Sequence, residues 1–129
     1  MAAVVLDSSA VLAAVLGEYG GDAVFKVLDE ASISTVNLAE VYTYAAINAF
    51  ATDAIDTFFT ETGIEVVPFG HDHAVLAGQF AAFTKKTGLS LGDRACLALA
   101  KSRQATVLTA DRVWANFAAE LGLSITLLR

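Results

Sequence analysis

At 129 residues, 56% hydrophobic and 17% charged, the chain has the apolar material for one domain with a buried core and too little charge to remain disordered. A net charge of −6 argues against binding nucleic acid through the overall field, so any such function needs a local basic rim or cations held in a site. No apolar run reaches the length of a membrane span, and the N-terminal stretch lacks the basic region of a signal peptide. The single cysteine, Cys96, cannot form an internal disulfide, which fits a reducing cytoplasm.

No linker, low-complexity segment or internal repeat interrupts the chain, and short β-rich runs alternate with helical stretches. Residues 2–6 (AAVVL) form a continuously apolar run, as expected of a buried parallel strand. Ser8 or Ser9 can cap the following helix, AVLAAVLG, and Gly17 can end it. Gly20, Gly21 and Asp22 lead into AVFKVLDEA, where Val24, Val27 and Leu28 fall on helical spacing. Residues 32–36 (SISTV) read as a second strand, residues 37–50 as a helix opened by Asn37, and residues 53–62 as a helix closed by Gly63. A third strand over residues 64–69 precedes an alanine-rich helix over residues 71–87, stopped by Gly88. Ser90 caps a helix through Arg103, residues 106–109 (TVLT) form a fourth strand, and a short helix over 112–121 leads to a last strand over 124–128. This order predicts an α/β domain with a central, mostly parallel, five-stranded sheet flanked by helices on both faces.

Four acids stand where the chain turns into a helix: Asp7, Glu40, Asp93 and Asp111. Each has a structural explanation. Asn37-x-x-Glu40 and Ser90-x-x-Asp93 have the spacing of capping boxes, Asp111 can be an N-cap, and Asp7 can be a turn residue at a strand end. Together they say more, because ligands of open α/β sheets bind outside the carboxyl ends of the strands, where acids distant in sequence converge. Clustered carboxylates repel unless a cation lies between them, and an all-oxygen donor set suits Mg²⁺ or Mn²⁺, ions of phosphodiester chemistry.

The segments VVLDSSAVLA, NLAEV, LSLGDRACLALA and VLTADRVW resemble, in order and spacing, the four acidic motifs of PIN-domain ribonucleases, and most of all the VapC-type toxins of bacterial toxin–antitoxin modules. The resemblance spans nearly the whole chain. It implies a single PIN-like domain over residues 1–129, metal-dependent hydrolysis of RNA, and a cation held by Asp7, Glu40, Asp93 and Asp111, with Ser8 and Thr109 supporting the site by hydrogen bonds. Many relatives carry a further acid after the fourth; Asn116 stands near that place and is at best a neutral ligand. The resemblance also implies a cognate antitoxin that binds near the acidic site, and a homodimer or a larger assembly with that antitoxin.

Arg94 and Arg112 each follow a proposed ligand and can grip an RNA phosphate; an internal ion pair or a solvated helix charge is the alternative. Lys85, Lys86, Lys101 and Arg103 can form a basic rim or be ordinary exposed helix charge. Val41, Tyr42, Tyr44 and Phe58, with Ala45 and Phe59, are either core or a groove for a partner helix. His71-x-His73 resembles a metal pair, but a metal role is disfavoured because both lie at a helix start and residues two apart do not share a helix face. Cys96, Trp114 and Phe117 read as packing residues. A non-catalytic PIN-like interaction module is the competing function. An aspartyl phosphotransfer domain is disfavoured, since Ser8 and Ser9 stand where a second acid would follow Asp7 and TADRVW offers no lysine.

Overall fold

A computed structural model describes residues 3–84 and 88–129, so Lys85 and Lys86 of the expected basic rim lie outside the described residues. Five strands, β1 (Val4–Leu6), β2 (Ala31–Ser34), β3 (Glu65–Val67), β4 (Thr106–Thr109) and β5 (Ser124–Leu127), form one sheet in the order β3-β2-β1-β4-β5. Every pairing is parallel, with Val5 opposite Ser32 on one side and Val107 on the other. The helices are α1 (Ser8–Leu16), α2 (Asp22–Phe25), α3 (Thr35–Ile47), α4 (Thr52–Thr62), α5 (His71–Thr84), α6 (Leu91–Arg103) and α7 (Ala118–Leu121).

The two-residue period of a strand divides the core. Val4 and Leu6 of β1 join Ile33 and Leu108 in a cluster with Ala10, Val11, Val41 and Ile55 from α1, α3 and α4. Val5 points the other way and joins Val107 with Ala77, Phe80, Leu97, Leu99, Trp114 and Phe117. β1 is therefore apolar on both faces because both are covered. Strand order runs outward from β1 in both directions, so the carboxyl ends of β1 and β4 flank a topological switch point. Among the described residues, no helix is long and apolar enough to cross a membrane.

The elements depart from expectation in ways that matter for the site. Asp7 itself, rather than either serine, caps α1. Ser34 caps α3, its Oγ accepting from the Val36 N–H at 3.3 Å, so the β-branched pair Thr35 and Val36 enters the first helical turn instead of extending β2. Asn37 thus lies inside the helix, and Asn37-x-x-Glu40 is no capping box. The stretch 23–31 is broken into α2 and a 3₁₀ turn (Leu28–Glu30), because Val27, at φ −125° and ψ 17°, leaves the helical region. The last helix likewise begins as a 3₁₀ segment (Arg112–Phe117) before α7.

Candidate metal centre

Asp7 ends β1 and is 4% exposed. Its Oδ1 accepts from the Ala10 N–H at 2.9 Å and from Ser9 Oγ at 2.7 Å, and its Oδ2 accepts from Thr109 Oγ1 at 2.6 Å. Thr109, fully buried at the end of β4, accepts in turn from the Asp111 N–H at 3.0 Å, and Ser9 Oγ accepts from the Ala110 N–H at 3.0 Å. Two hydroxyls thus stitch the carboxyl ends of β1 and β4 together around one carboxylate. The serine bonded to Asp7 is Ser9, two residues on, whereas the sequence pointed to Ser8.

The second pair of acids stands on α3 and α6, linked through Asn37 and Gly92. Asn37, 1% exposed, donates from Nδ2 to Glu40 Oε1 at 2.9 Å and to the Gly92 carbonyl at 2.9 Å. The Glu40 carboxylate lies against Gly92, in the space a Cβ there would fill. Asp93 follows directly, in a reciprocal capping box: its Oδ2 accepts from the Ser90 N–H at 3.0 Å, and its own N–H donates to Ser90 Oγ at 3.1 Å. Asp111 is also an N-cap, its Oδ1 accepting from the Val113 N–H at 3.0 Å.

Electrostatics ties three of the acids together. Burial raises the Asp7 carboxyl above the usual carboxylate range, its three hydrogen bonds oppose that, and the charge of Asp93 raises it further. Cys96 is fully buried on α6; burial pushes its thiol up, and the charges of Asp7, Asp93 and Glu40 add to the effect. Asp111 joins the group through its backbone bond to Thr109. Among the described residues the only ion pair is Arg103 with Glu65, at 2.7 Å, so Asp7 is a buried carboxylate with no basic side chain opposite it. A buried anion with other acids near and no counter-charge is the arrangement a cation completes, and the all-oxygen donor set fits Mg²⁺ or Mn²⁺. Among the described residues no three His, Cys, Asp or Glu side chains are gathered closely enough to hold an ion.

The sequence matches the PIN domain family over residues 4–120. The chain belongs to that family. Its PIN fold is also that of several solved structures. VapBC2 from Rickettsia felis bound to a promoter DNA fragment matches with a TM-score of 0.75 and 16% identity, covering 96% of this chain and 97% of that one. DNA-bound VapBC from Salmonella typhimurium matches at 0.74 and 18%, covering 100% of both chains. VapBC-5 from Mycobacterium tuberculosis, a toxin–antitoxin system, matches at 0.70 and 24%, covering 98% and 99%. Among curated proteins none matches the sequence.

Other expected residues of this PIN domain are placed as follows. Arg94 is half-buried and its Nη1 donates to the Ala77 carbonyl at 2.9 Å, which ties α6 to α5. Arg112 and Asn116 are exposed on the 3₁₀ segment. Val41 and Ala45 are closed in the core and cannot line a partner groove, because α3 turns this face to the sheet. Tyr42, Phe58 and Phe59 pack over that core half-buried, with the Tyr42 hydroxyl bonded to Asp56 and thereby raised to about 12. Tyr44 is half-buried. A groove of about 570 Å³ lies between α1 and α2, with Glu18, Tyr19, Asp22 and Phe25 among its walls. His73 bonds Ser102 at 3.2 Å, while His71 is exposed. Ser9, Asn37 and Gly92 were not singled out from the sequence as parts of the site. The usable signal for Asn37 was its i,i+3 spacing to Glu40, which read as a cap.

Proposed function

We propose that this PIN domain is a Mg²⁺- or Mn²⁺-dependent endoribonuclease and the toxin of a toxin–antitoxin pair. The observation that carries the reading is Asp7: a buried carboxylate at the switch point, braced by Ser9, Thr109 and the α1 N-terminus, close to Asp93 and without a basic partner. Family membership and the likeness in fold to VapBC toxin–antitoxin structures support it.

Asp7, Glu40, Asp93 and Asp111 would hold the cation. When bound, that cation supplies a water of lowered pKa and neutralises charge on the phosphate under attack. Asp7 is fixed by donors on both oxygens and sets the register of the site. Glu40 Oε2, packed beside Gly92, receives no hydrogen bond among the described residues and would orient the attacking water and take its proton. Water oxygen bonds to phosphorus as the bond to the leaving ribose oxygen breaks. Exposed Arg112, beside Asp111, can steady the RNA backbone, a local cation where the overall charge of −6 repels. The groove between α1 and α2, with Tyr19 83% and Phe25 51% exposed and Glu18 and Asp22 on its walls, suits an apolar, basic antitoxin segment. Exposed Val75 and Phe83 on α5 offer apolar surface for self-association.

Incubating the purified chain with RNA tests the reading. Cleavage in Mg²⁺ that EDTA stops, and that Asp7→Asn and Asp93→Asn abolish while remaining folded, is the expected result. Full activity in both variants, or in EDTA, would sink it; cation binding without cleavage would favour the interaction module.

A further inference from the structure

We propose that Asn37 is a positioning residue that seats the Glu40 carboxylate and fixes its spacing to Asp93. The inference rests on the cation-dependent reading of the acidic site. Asn37 is 1% exposed and spends both Nδ2 protons, one on Glu40 Oε1 and one on the Gly92 carbonyl, each at 2.9 Å. A flipped amide would set its carbonyl oxygen against two acceptors, so the donor orientation is fixed. One bond grips an acid of the site and the other grips the peptide immediately before a second acid. Asn37 thereby links α3, on one face of the sheet, to the first turn of α6 on the other.

Two further observations support a role beyond packing. Asn37 Oδ1 is buried and has no hydrogen-bond partner, so the residue leaves one buried acceptor unmatched, which a stabilising core position would not select. Gly92 meanwhile provides the other wall of the seat: a Cβ at that position would collide with the Glu40 carboxylate. The carboxylate is thus bonded to Asn37 through Oε1 and packed against Gly92 with Oε2 foremost, and Oε2 has no hydrogen-bond partner among the described residues. Oriented outer partners of this kind are worth about 10–100-fold in metal affinity.

The test compares Mn²⁺ titrations by calorimetry for the full chain and Asn37→Leu, an apolar replacement of similar volume, with apoprotein melting as the control for folding. Asn37→Ser, which leaves room for water, takes its place if the leucine variant does not fold. The expected result is Mn²⁺ binding about 10–100-fold weaker in a variant that still unfolds cooperatively at a somewhat lower melting temperature, and no further loss of affinity when the substitution is added to Glu40→Ala. Equal affinity in wild type and variant, or the same loss with and without Glu40, would overturn the role of Asn37 alone. A wild-type chain that binds no Mn²⁺ would overturn the cation site and this inference together.

Discussion

Thr109→Val removes one hydroxyl and keeps the side-chain shape, so it isolates the bond network between β1 and β4. Thr109 is fully buried, donates to Asp7 Oδ2 at 2.6 Å and accepts from the Asp111 N–H at 3.0 Å. A hydrogen bond to a charged group is worth about 1.5–3 kcal/mol, and an orphaned N–H costs about 1 kcal/mol or more. Because Asp111 is half-buried, water relieves part of the second loss, which leaves about 2–4 kcal/mol in all. For a chain of this size that lowers the melting temperature by about 7–15 °C. The loss depends on pH. The Thr109 bond lowers an Asp7 carboxyl that burial raises, so the variant raises it further. A carboxyl raised in the folded state stabilises below its unfolded value of 3.8, and that contribution is lost as pH rises through the folded value. The gap between wild type and variant therefore widens from acid to neutral pH. Circular dichroism melts in EDTA measure this, with Thr109→Ser, which keeps the hydroxyl, within about 1 kcal/mol of wild type as the control. A Thr109→Val protein that melts with wild type at neutral pH, or a gap that narrows as pH rises, would refute the network.

Three more outcomes are expected. Asp7→Asn should melt higher than wild type at neutral pH without metal, since each unit by which burial raises Asp7 costs about 1.4 kcal/mol, and adding Mg²⁺ should stabilise wild type and not the variant. Gly92→Ala gains about 1 kcal/mol of helix propensity and loses about 1–3 kcal/mol to collision with Glu40, so calorimetry should find a small net destabilisation beside a clear loss of Mn²⁺ affinity. Gln104, the exposed cap of α6, has a left-handed backbone at φ 52° and ψ 43°; Gln104→Gly should raise stability by about 1 kcal/mol in urea unfolding.

The sheet was readable because β1 and β4 carry apolar runs bounded by Asp7 and Asp111, and because no hairpin signal competes with the helices between strands. The boundaries that failed did so through capping. Ser34 starts α3 early and draws Thr35 and Val36, good strand residues, into a helix. That two-residue shift converts Asn37 from a cap into a buried clamp. Propensity could not reveal it, since the deciding bond reaches Gly92, 55 residues away. The same holds for Ser9, whose partners Asp7 and Ala110 come together only when β1 pairs with β4. Val41 failed as a groove residue because helix α3 is apolar on its sheet side and bounded there by Leu6 and Ile33 of the same cluster. Asp7, Asp93 and Asp111 stand at helix starts as the sequence reads them, whereas Glu40 is the sixth residue of α3. Asp93 and Asp111 are working caps, a role that does not conflict with the one proposed for them in the site.

Crystals soaked in Mn²⁺ and measured for anomalous scattering test the central claim most directly. The account predicts a peak bounded by Asp7, Glu40, Asp93 and Asp111 at roughly 2.1 Å from its nearest carboxylate oxygens, with Asp93 or Asp111 turned from its capping bond, and no peak in Asp7→Asn crystals. An empty carboxyl edge in the wild-type protein, or a peak that survives in Asp7→Asn, would contradict it.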